Sequence, residues 1–397
     1  MKEAPAAHMA LTADATGRKL LIALYTGAVF LYWMALYLYV PTLPVYAQSK
    51  ADDLALVGVV LSMYGLWQAV IRLPLGIAAD WLGWRKPFII AGFALAGLGA
   101  WVMGTAAHVQ GLILGRAITG LAAGTWVPLV VVFSGLFPPE EAVRASALLT
   151  LVGSVGRMLA TAVTGSLNEL GGYPLAFFLA AVAAALAIVI VLPSQEQRRP
   201  PKAPSVQSIG RLVTRRDVLL PSLLSAVNQY ATWATTFGFL PIIARQLGAT
   251  GVTQSILVTM NIAVVTLGNL MATTLIRVMG TRRLVYLSFW LIALGAGSAA
   301  LAPSLPMVFF AQLCLGLSQG IGYPVLMGMS IQKVADVERT TAMGLHQSVY
   351  AIGMFTGPWL SGILADAMGI RPMFGVTAFA CLALGLLGTS QLSSHRL

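Results

Sequence analysis

Twelve long apolar runs leave a chain of 397 residues little choice of architecture. They fall at about 20–45, 54–79, 87–107, 110–136, 143–168, 172–193, 218–245, 252–278, 283–302, 306–332, 340–367 and 371–390. Each can cover a hydrocarbon core, which needs roughly 20 helical residues. Inside lipid every backbone N–H and C=O must find a partner within the protein, so only helices and closed barrels can span it. Barrel strands alternate apolar and polar residues, whereas these runs are uninterrupted. The expected fold class is therefore an all-α membrane protein with twelve transmembrane helices. Composition agrees: 9% of residues are charged, against about 25% in soluble domains, and mean hydropathy is +0.83. Cys314 and Cys381 both lie in apolar runs, so neither a disulfide framework nor a metal cluster is expected.

The longest interruption runs from Pro193 to Asp217 and carries Arg198, Arg199, Lys202, Arg211, Arg215 and Arg216. It divides the chain into a tail (1–17), a first six-helix bundle (18–193), a basic linker (194–217) and a second six-helix bundle with a short tail (218–397). An even number of crossings puts the termini and the linker on one side. That side also holds Arg85, Lys86, Arg144, Arg277, Arg282, Arg283, Lys333 and Arg339, while the opposite loops hold only Lys50, Arg245 and Arg371. Lys and Arg accumulate on the cytoplasmic face, so both termini are expected there. The net charge of +11 is then a matter of topology and lipid headgroups, and no nucleic-acid partner is expected.

The two halves repeat. Gly120-Leu-Ala-Ala-Gly124…Pro128…Ser134 matches Gly316-Leu-Ser-Gln-Gly320…Pro324…Ser330 at one offset, and Gly156, Ala160 and Gly165 match Gly353, Gly357 and Gly362. Between the second and third runs lies a tight charged turn, Gly76-Ile-Ala-Ala-Asp80-Trp-Leu-Gly83-Trp-Arg85-Lys86-Pro87. Its worn copy is Gly280-Thr-Arg282-Arg283, with Arg277 where Asp80 would be. The turn is similar to the G-x-x-x-D-x-x-G-R/K-R/K loop between helices two and three of the major facilitator superfamily. With the repeat and the helix count, that resemblance covers nearly the whole chain. It implies two pseudo-symmetric six-helix bundles rocking about a central cavity near the bilayer midplane. Helices one, four, seven and ten line that cavity in the family, which here implies Tyr32, Trp33 and Tyr37; Trp126; Asn228, Gln229, Tyr230 and Trp233; and Gln312, Gln319 and Tyr323.

Charge inside the spans is one-sided. None of the 13 carboxylates falls at the middle of a run, although proton-driven exporters of the family commonly carry one in helix one or four. Arg72, Arg116 and Arg157 do lie within runs. Each would cost about 2.5–3.5 kcal/mol facing lipid at the centre, so each should face protein or water. Arg116 with Gly120 resembles the family's R-x-x-x-G pattern in helix four, where the arginine is implicated in coupling. Arg157 has no obvious partner nearby in sequence. Arg72, about two turns before Asp80, reads as a hydrogen-bonder to backbone carbonyls. His346 is the one histidine well inside a run, suited either to titrate near neutrality or to serve as a neutral helix–helix hydrogen-bonder.

At the cytoplasmic ends, Gly76, Asp80, Gly83, Arg85 and Lys86 join two matching acid–arginine turns, Glu140-Glu141…Arg144 and Asp336…Glu338-Arg339. Acids there complement a helix dipole; the resemblance equally implies a gate that latches the cytoplasmic side. Arg85 and Lys86 can anchor in lipid headgroups. Gly353-Met-Phe-Thr-Gly357-Pro358-Trp-Leu-Ser-Gly362 resembles an exporter pattern of helix five but falls in helix eleven, where close packing explains it.

Phosphate-loop, zincin and nucleophile-elbow motifs are absent, which excludes the common enzymes and an ATP-driven pump. No cofactor or metal is expected. The expected function is a monomeric secondary transporter of the bacterial cytoplasmic membrane, exporting a small drug or metabolite, with protons as the coupling ion the family implies. The alternative within the class is a carrier or exchanger of organic anions, favoured by embedded arginines without embedded acids, and the substrate expected is anionic or amphipathic. A passive channel or a non-transporting sensor is the reading from another class.

Overall fold

The computed structural model describes residues 15–138, 141–194 and 206–392. Among them, helix α1 (Ala15–Tyr37) and the short α2 (Leu43–Gln48) form the first crossing, α3 (Leu54–Leu82) the second and α4 (Lys86–Gly104) the third. The fourth is α5 (Val109–Ala123) followed by α6 (Trp126–Ser134). Helix α7 (Ala142–Val191) is long enough to cross twice, and its backbone reverses at Gly171-Gly172, where Gly172 has φ 69°. A linker helix α8 (Val206–Val213) precedes the seventh crossing, which comprises α9 (Arg216–Ala234), a π-turn at Thr235–Phe239 and α10 (Leu240–Gln246). Helices α11 (Gly251–Met279), α12 (Thr281–Leu301), α13 (Leu305–Ile331), α14 (Asp336–Met368) and α15 (Ile370–Ser390) complete the chain.

Three crossings expected as single runs are broken. In the first and seventh the cause is proline, which offers no N–H and ends the helix ahead of it. Pro41 lies within the break before α2, Pro44 stands in the first turn of α2, and Pro241 opens α10. The fourth crossing tightens at Gly124 and Thr125, whose N–H groups donate to carbonyls three residues back. Its counterpart α13 runs unbroken through Pro324, so the halves are alike but not identical. Large apolar side chains face outward around the bundle: Leu170 is 81% exposed, Leu301 and Phe379 76% each. Such a surface suits lipid rather than water.

The repeat in sequence is a repeat of contacts. Gly83 (φ 62°) and Gly280 (φ 77°) hold the two matching turns in left-handed backbone. Lys86 donates to the Leu192 and Ser194 carbonyls, at 2.6 and 2.5 Å, where the sixth crossing ends. In the second half Arg282 does the same for the Ser390 carbonyl at 2.9 Å. A cation at a helix C-terminus meets both orphan carbonyls and the negative end of the dipole. The headgroup-anchor role expected of Arg85 and Lys86 is thus corrected: Lys86 caps a neighbouring helix, and Arg85 is only 8% exposed.

The halves meet most closely through glycine at the end of the bundle remote from the termini. A Cβ on Gly58 of α3 would press into the Pro358 carbonyl and come within 2.8 Å of Gly362 Cα on α14. Gly165 on α7 lies equally close against Gly251 of α11. Gly165 and Gly362 are repeat mates, so one sequence feature makes both seams. Polar contacts reinforce them: Gly165 N–H donates to Ser255 Oγ at 2.7 Å, and Leu54 N–H to Asp366 Oδ1 at 3.2 Å. Toward the other end, Thr150 lines the central cavity and is exposed.

At the termini side, α8 lays Leu212 against Val218, Val334 and Ala342 of the second half. Arg211 pairs with Glu338, and Arg215 with Asp217 at 2.6 Å. The Arg215 guanidinium holds the Asp217 carboxyl below its usual range. Glu338 therefore serves the linker helix, while Glu141 pairs with Arg144 at 3.9 Å on an exposed turn. Gly76 stands in ordinary contact with Val127, Cγ1 being 3.6 Å from where its Cβ would be. Arg339 is exposed. Glu140, Arg198, Arg199 and Lys202, and the side chains of Asp80 and Asp336, lie outside the described set.

Overpacking the remote seam should shift the equilibrium away from this form. With Gly58→Val the added bulk costs about 1–3 kcal/mol in the conformation where α3 and α14 touch, a shift of about tenfold or more in population. Cys314 and Cys381 are buried, so thiol labelling of Thr150→Cys reads the opening. Labelling should fall about tenfold in the Gly58→Val background; an unchanged rate would show that the seam does not control the opening.

Candidate substrate cavity

A cavity of about 240 Å³ lies between the two halves. Its floor, toward the sealed end, is aromatic: Tyr64 stacks on Trp233 with centroids 5.3 Å apart, and Tyr37 meets Phe237 edge-on at 6.2 Å. Each pair joins one ring from either half. Phe237 belongs to the π-turn, so the break in the seventh crossing is what aims it inward.

Among the described residues, two guanidinium groups line the cavity and no carboxylate does. Arg157 folds back along α7, donating from Nε to the Gly153 carbonyl at 3.3 Å and from Nη2 to Ser154 Oγ at 3.1 Å. Its charge lies over the rings of Trp33 at 4.7 Å and Tyr37 at 5.8 Å. Gly153 makes room, since a Cβ there would stand 2.7 Å from Trp33 Nε1. Rings satisfy a cation weakly and only through their faces, so this guanidinium keeps much of its capacity for an anion.

Arg72 departs from the sequence reading. It bonds side chains and not backbone carbonyls, and those side chains belong to the other half: Tyr350 OH, and Gln347 Oε1 at 3.5 Å. It is 7% exposed, and its Nε has no partner. Arg72 therefore joins the halves across the cavity, a role that only the docking of α3 on α14 creates.

Of the residues expected in the site, Tyr37, Trp126, Arg157, Gln229, Gln319 and Tyr323 line the cavity, together with Trp33 and Trp233. Others stand one layer behind. Arg116 is 2% exposed and sits 4.5 Å from the outer face of Tyr64, inside the first half. Tyr32 is spent on the Ala122 carbonyl at 3.0 Å, Asn228 bonds Ser318 at 3.3 Å, and Tyr230 contacts Ser361 at 3.4 Å. Gln312 accepts from Thr236 at 2.9 Å and, through its backbone carbonyl, from Asn261 at 3.1 Å, so it positions Asn261. His346 is fully buried, with Nδ1 3.0 Å from Ser222 Oγ. Ser222 already donates to Val218 O at 2.7 Å, which leaves the histidine as donor in that contact. The structure thus favours the helix–helix hydrogen-bonder over a cavity group for His346.

Sequence reasoning missed Tyr64, Gln68, Asn261, Asn269, Gln347 and Tyr350, all of which line the cavity. They lie on α3, α11 and α14, outside the four helices to which the family pattern pointed. Four of them are amides at lipid depth, a signal of burial against protein or water that could have found them.

Comparison with known proteins agrees with this geometry. The sequence profile of the Major Facilitator Superfamily matches residues 25–228 and again 222–390, once per half. The inner membrane transport protein YajR of Escherichia coli strain K12 is 27% identical over 168 residues, a stretch covering 42% of this chain and 37% of that protein. A chloramphenicol efflux pump of Mycobacterium tuberculosis strain H37Rv is 24% identical over 382 residues, 88% of this chain and 89% of the pump. The crystal structure of a bacterial homologue of the human lysosomal transporter Spinster, inward-facing and unoccupied, superposes with a TM-score of 0.78 at 16% identity, covering 95% of this chain and 98% of the other.

Position behind or on the cavity wall should separate the arginines by stability. Arg116→Ala removes a buried stack and leaves a void, and should lower the melting temperature of the detergent-solubilised protein by an amount equivalent to about 2 kcal/mol. Arg157→Ala opens onto an existing cavity and should change it by less than about 1 kcal/mol. Equal melting temperatures for the two variants would contradict this placement.

Proposed function

The chain belongs to the Major Facilitator Superfamily and is a membrane transporter, not an enzyme, and from that premise we propose that it carries small organic anions by alternating access. One observation carries this reading: among the described residues the cavity wall holds Arg72 and Arg157 and no carboxylate. Among the described residues neither has an acidic partner. Guanidinium groups stay protonated at any physiological pH and offer a fork matched to carboxylate or phosphate. Aromatic rings and amides around them fit an apolar body with polar edges.

Electrostatics then sets the mode of transport. An empty cavity closing around two fixed cations buries them uncompensated in a medium where charge is costly. A bound anion removes that penalty, so the loaded carrier should cross between its states more readily than the empty one. Exchange of one anion for another is the expected behaviour. The basic loops support cytoplasmic termini. On that orientation the present form faces inward, sealed outside by α3 on α14 and α7 on α11.

A second reading, export of an uncharged drug, is favoured by the similarity to the chloramphenicol efflux pump over 88% of the chain. Proton coupling belongs with it. That reading needs a titrating group, and His346, buried behind the wall, is the remaining candidate among the expected site residues.

Reconstituted protein distinguishes the two. Uptake of a labelled organic acid into liposomes should saturate and accelerate several-fold when the lumen is preloaded with unlabelled acid, with no change in luminal pH. Arg157→Ala should reduce that exchange by at least about tenfold, the loss of one charge-assisted contact. If chloramphenicol and lipophilic cations were carried and organic acids were not, the anion reading would fall.

A further inference from the structure

Within the organic-anion reading, on which this inference rests, the hydrogen-bonding polarity of the cavity narrows the substrate. The first-half wall ends in donors: Arg72 Nε and Trp33 Nε1 are both buried without an acceptor, and Arg157 adds its guanidinium. The second-half wall ends in an acceptor. Asn261 lines the cavity at 1% exposure, and its Nδ2 donates to the Gln312 backbone carbonyl at 3.1 Å. A carbonyl oxygen can only accept, so that bond fixes which way the amide is turned. Oδ1 is therefore the free end, and it is buried with no donor to meet it. Gln229 Oε1 and Asn269 Oδ1 on the same wall are likewise buried without a donor.

Buried acceptors left unpaired are disfavoured strongly enough that a ligand group satisfying one gains about tenfold or more in affinity. A site built this way rejects an analogue that lacks the donor far more firmly than an apolar pocket rejects an extra methylene. We propose that the substrate is an organic anion bearing a hydroxyl or amide N–H at the end away from its acid group. The acid lies against the Arg72 and Arg157 wall, and the donor reaches Asn261 Oδ1. Gln312, behind the wall, is the positioning residue that keeps that oxygen turned inward.

Matched pairs test the assignment on the full-length protein in lipid nanodiscs. Titration calorimetry would compare benzoate with para-hydroxybenzoate, phenylacetate with para-hydroxyphenylacetate and hexanoate with omega-hydroxyhexanoate, alongside the methyl esters. The hydroxy acid should bind about tenfold tighter in at least one pair. Asn261→Leu should bring the two acids of that pair within about twofold of each other. Acids that outbind their esters but show no hydroxyl preference in wild-type protein would overturn the donor assignment and leave the anion reading standing. Acids and esters binding alike would overturn both. Should Asn261→Leu fail to fold, the wild-type comparison decides the matter by itself, and a hydroxyl preference untouched in a folded Asn261→Leu protein would also overturn the assignment.

Discussion

Two backbones touching where neither carries a side chain is the contact on which the rest of this structure depends. Gly58 against Gly362 and Gly165 against Gly251 let the halves approach to a distance no Cβ would permit. In lipid there is little hydrophobic gain from bringing helices together, so association rests on close packing and on interhelical hydrogen bonds. The Gly165 N–H to Ser255 and Leu54 N–H to Asp366 bonds supply the latter at the same seams. The α3–α14 contact continues past that end, a Cβ on Gly65 standing 2.4 Å from the Met354 backbone, and the cavity lies beside it between the halves. Such a contact is dense. It can separate without unfolding either half, as alternation requires.

Charge within the cavity follows a different logic from charge on the surface. Arg72 and Arg157 are kept from lipid by facing the cavity, and their surroundings satisfy them only in part, through rings, hydroxyls and a carbonyl. A carboxylate would have neutralised either one and closed the site to anions. Arg116 shows the alternative, a cation stacked under Tyr64 and turned away from the cavity. The Arg72 contact with Tyr350 and Gln347 also spans the two halves. An anion of the proposed class taking up Arg72 would compete with that contact, which would give the ligand a differential hold on the two conformations.

Much of this was legible residue by residue. The apolar runs gave the crossings, the repeat gave the two halves, and the family pattern pointed to Tyr37, Trp126, Gln229, Gln319 and Tyr323, which line the cavity. The pattern was less informative about facing. Tyr32 lies one residue before Trp33, and Asn228 one before Gln229, yet each turns into its own bundle while its neighbour faces the cavity. One residue on a helix is a rotation of about 100°, and an apolar helix in lipid looks alike in sequence around much of its circumference. Lys86 was misread for a related reason: a basic residue at a helix start suggests headgroups until the end of the sixth crossing is seen lying beside it.

What the sequence by itself determined is the local and periodic part: helices because lipid leaves backbone groups no other partner, breaks where proline withholds a donor, tight turns at Gly83 and Gly280, and a duplicated plan. Tertiary structure alone decided the contacts between helices far apart in the chain. The Arg72 contact with Tyr350 joins residues 278 positions apart, and the turn of the Asn261 amide depends on a carbonyl 51 positions away. Neither is encoded by spacing along one helix: the first exists only where α3 of one half meets α14 of the other, and the second only where α11 packs on α13 within the second half.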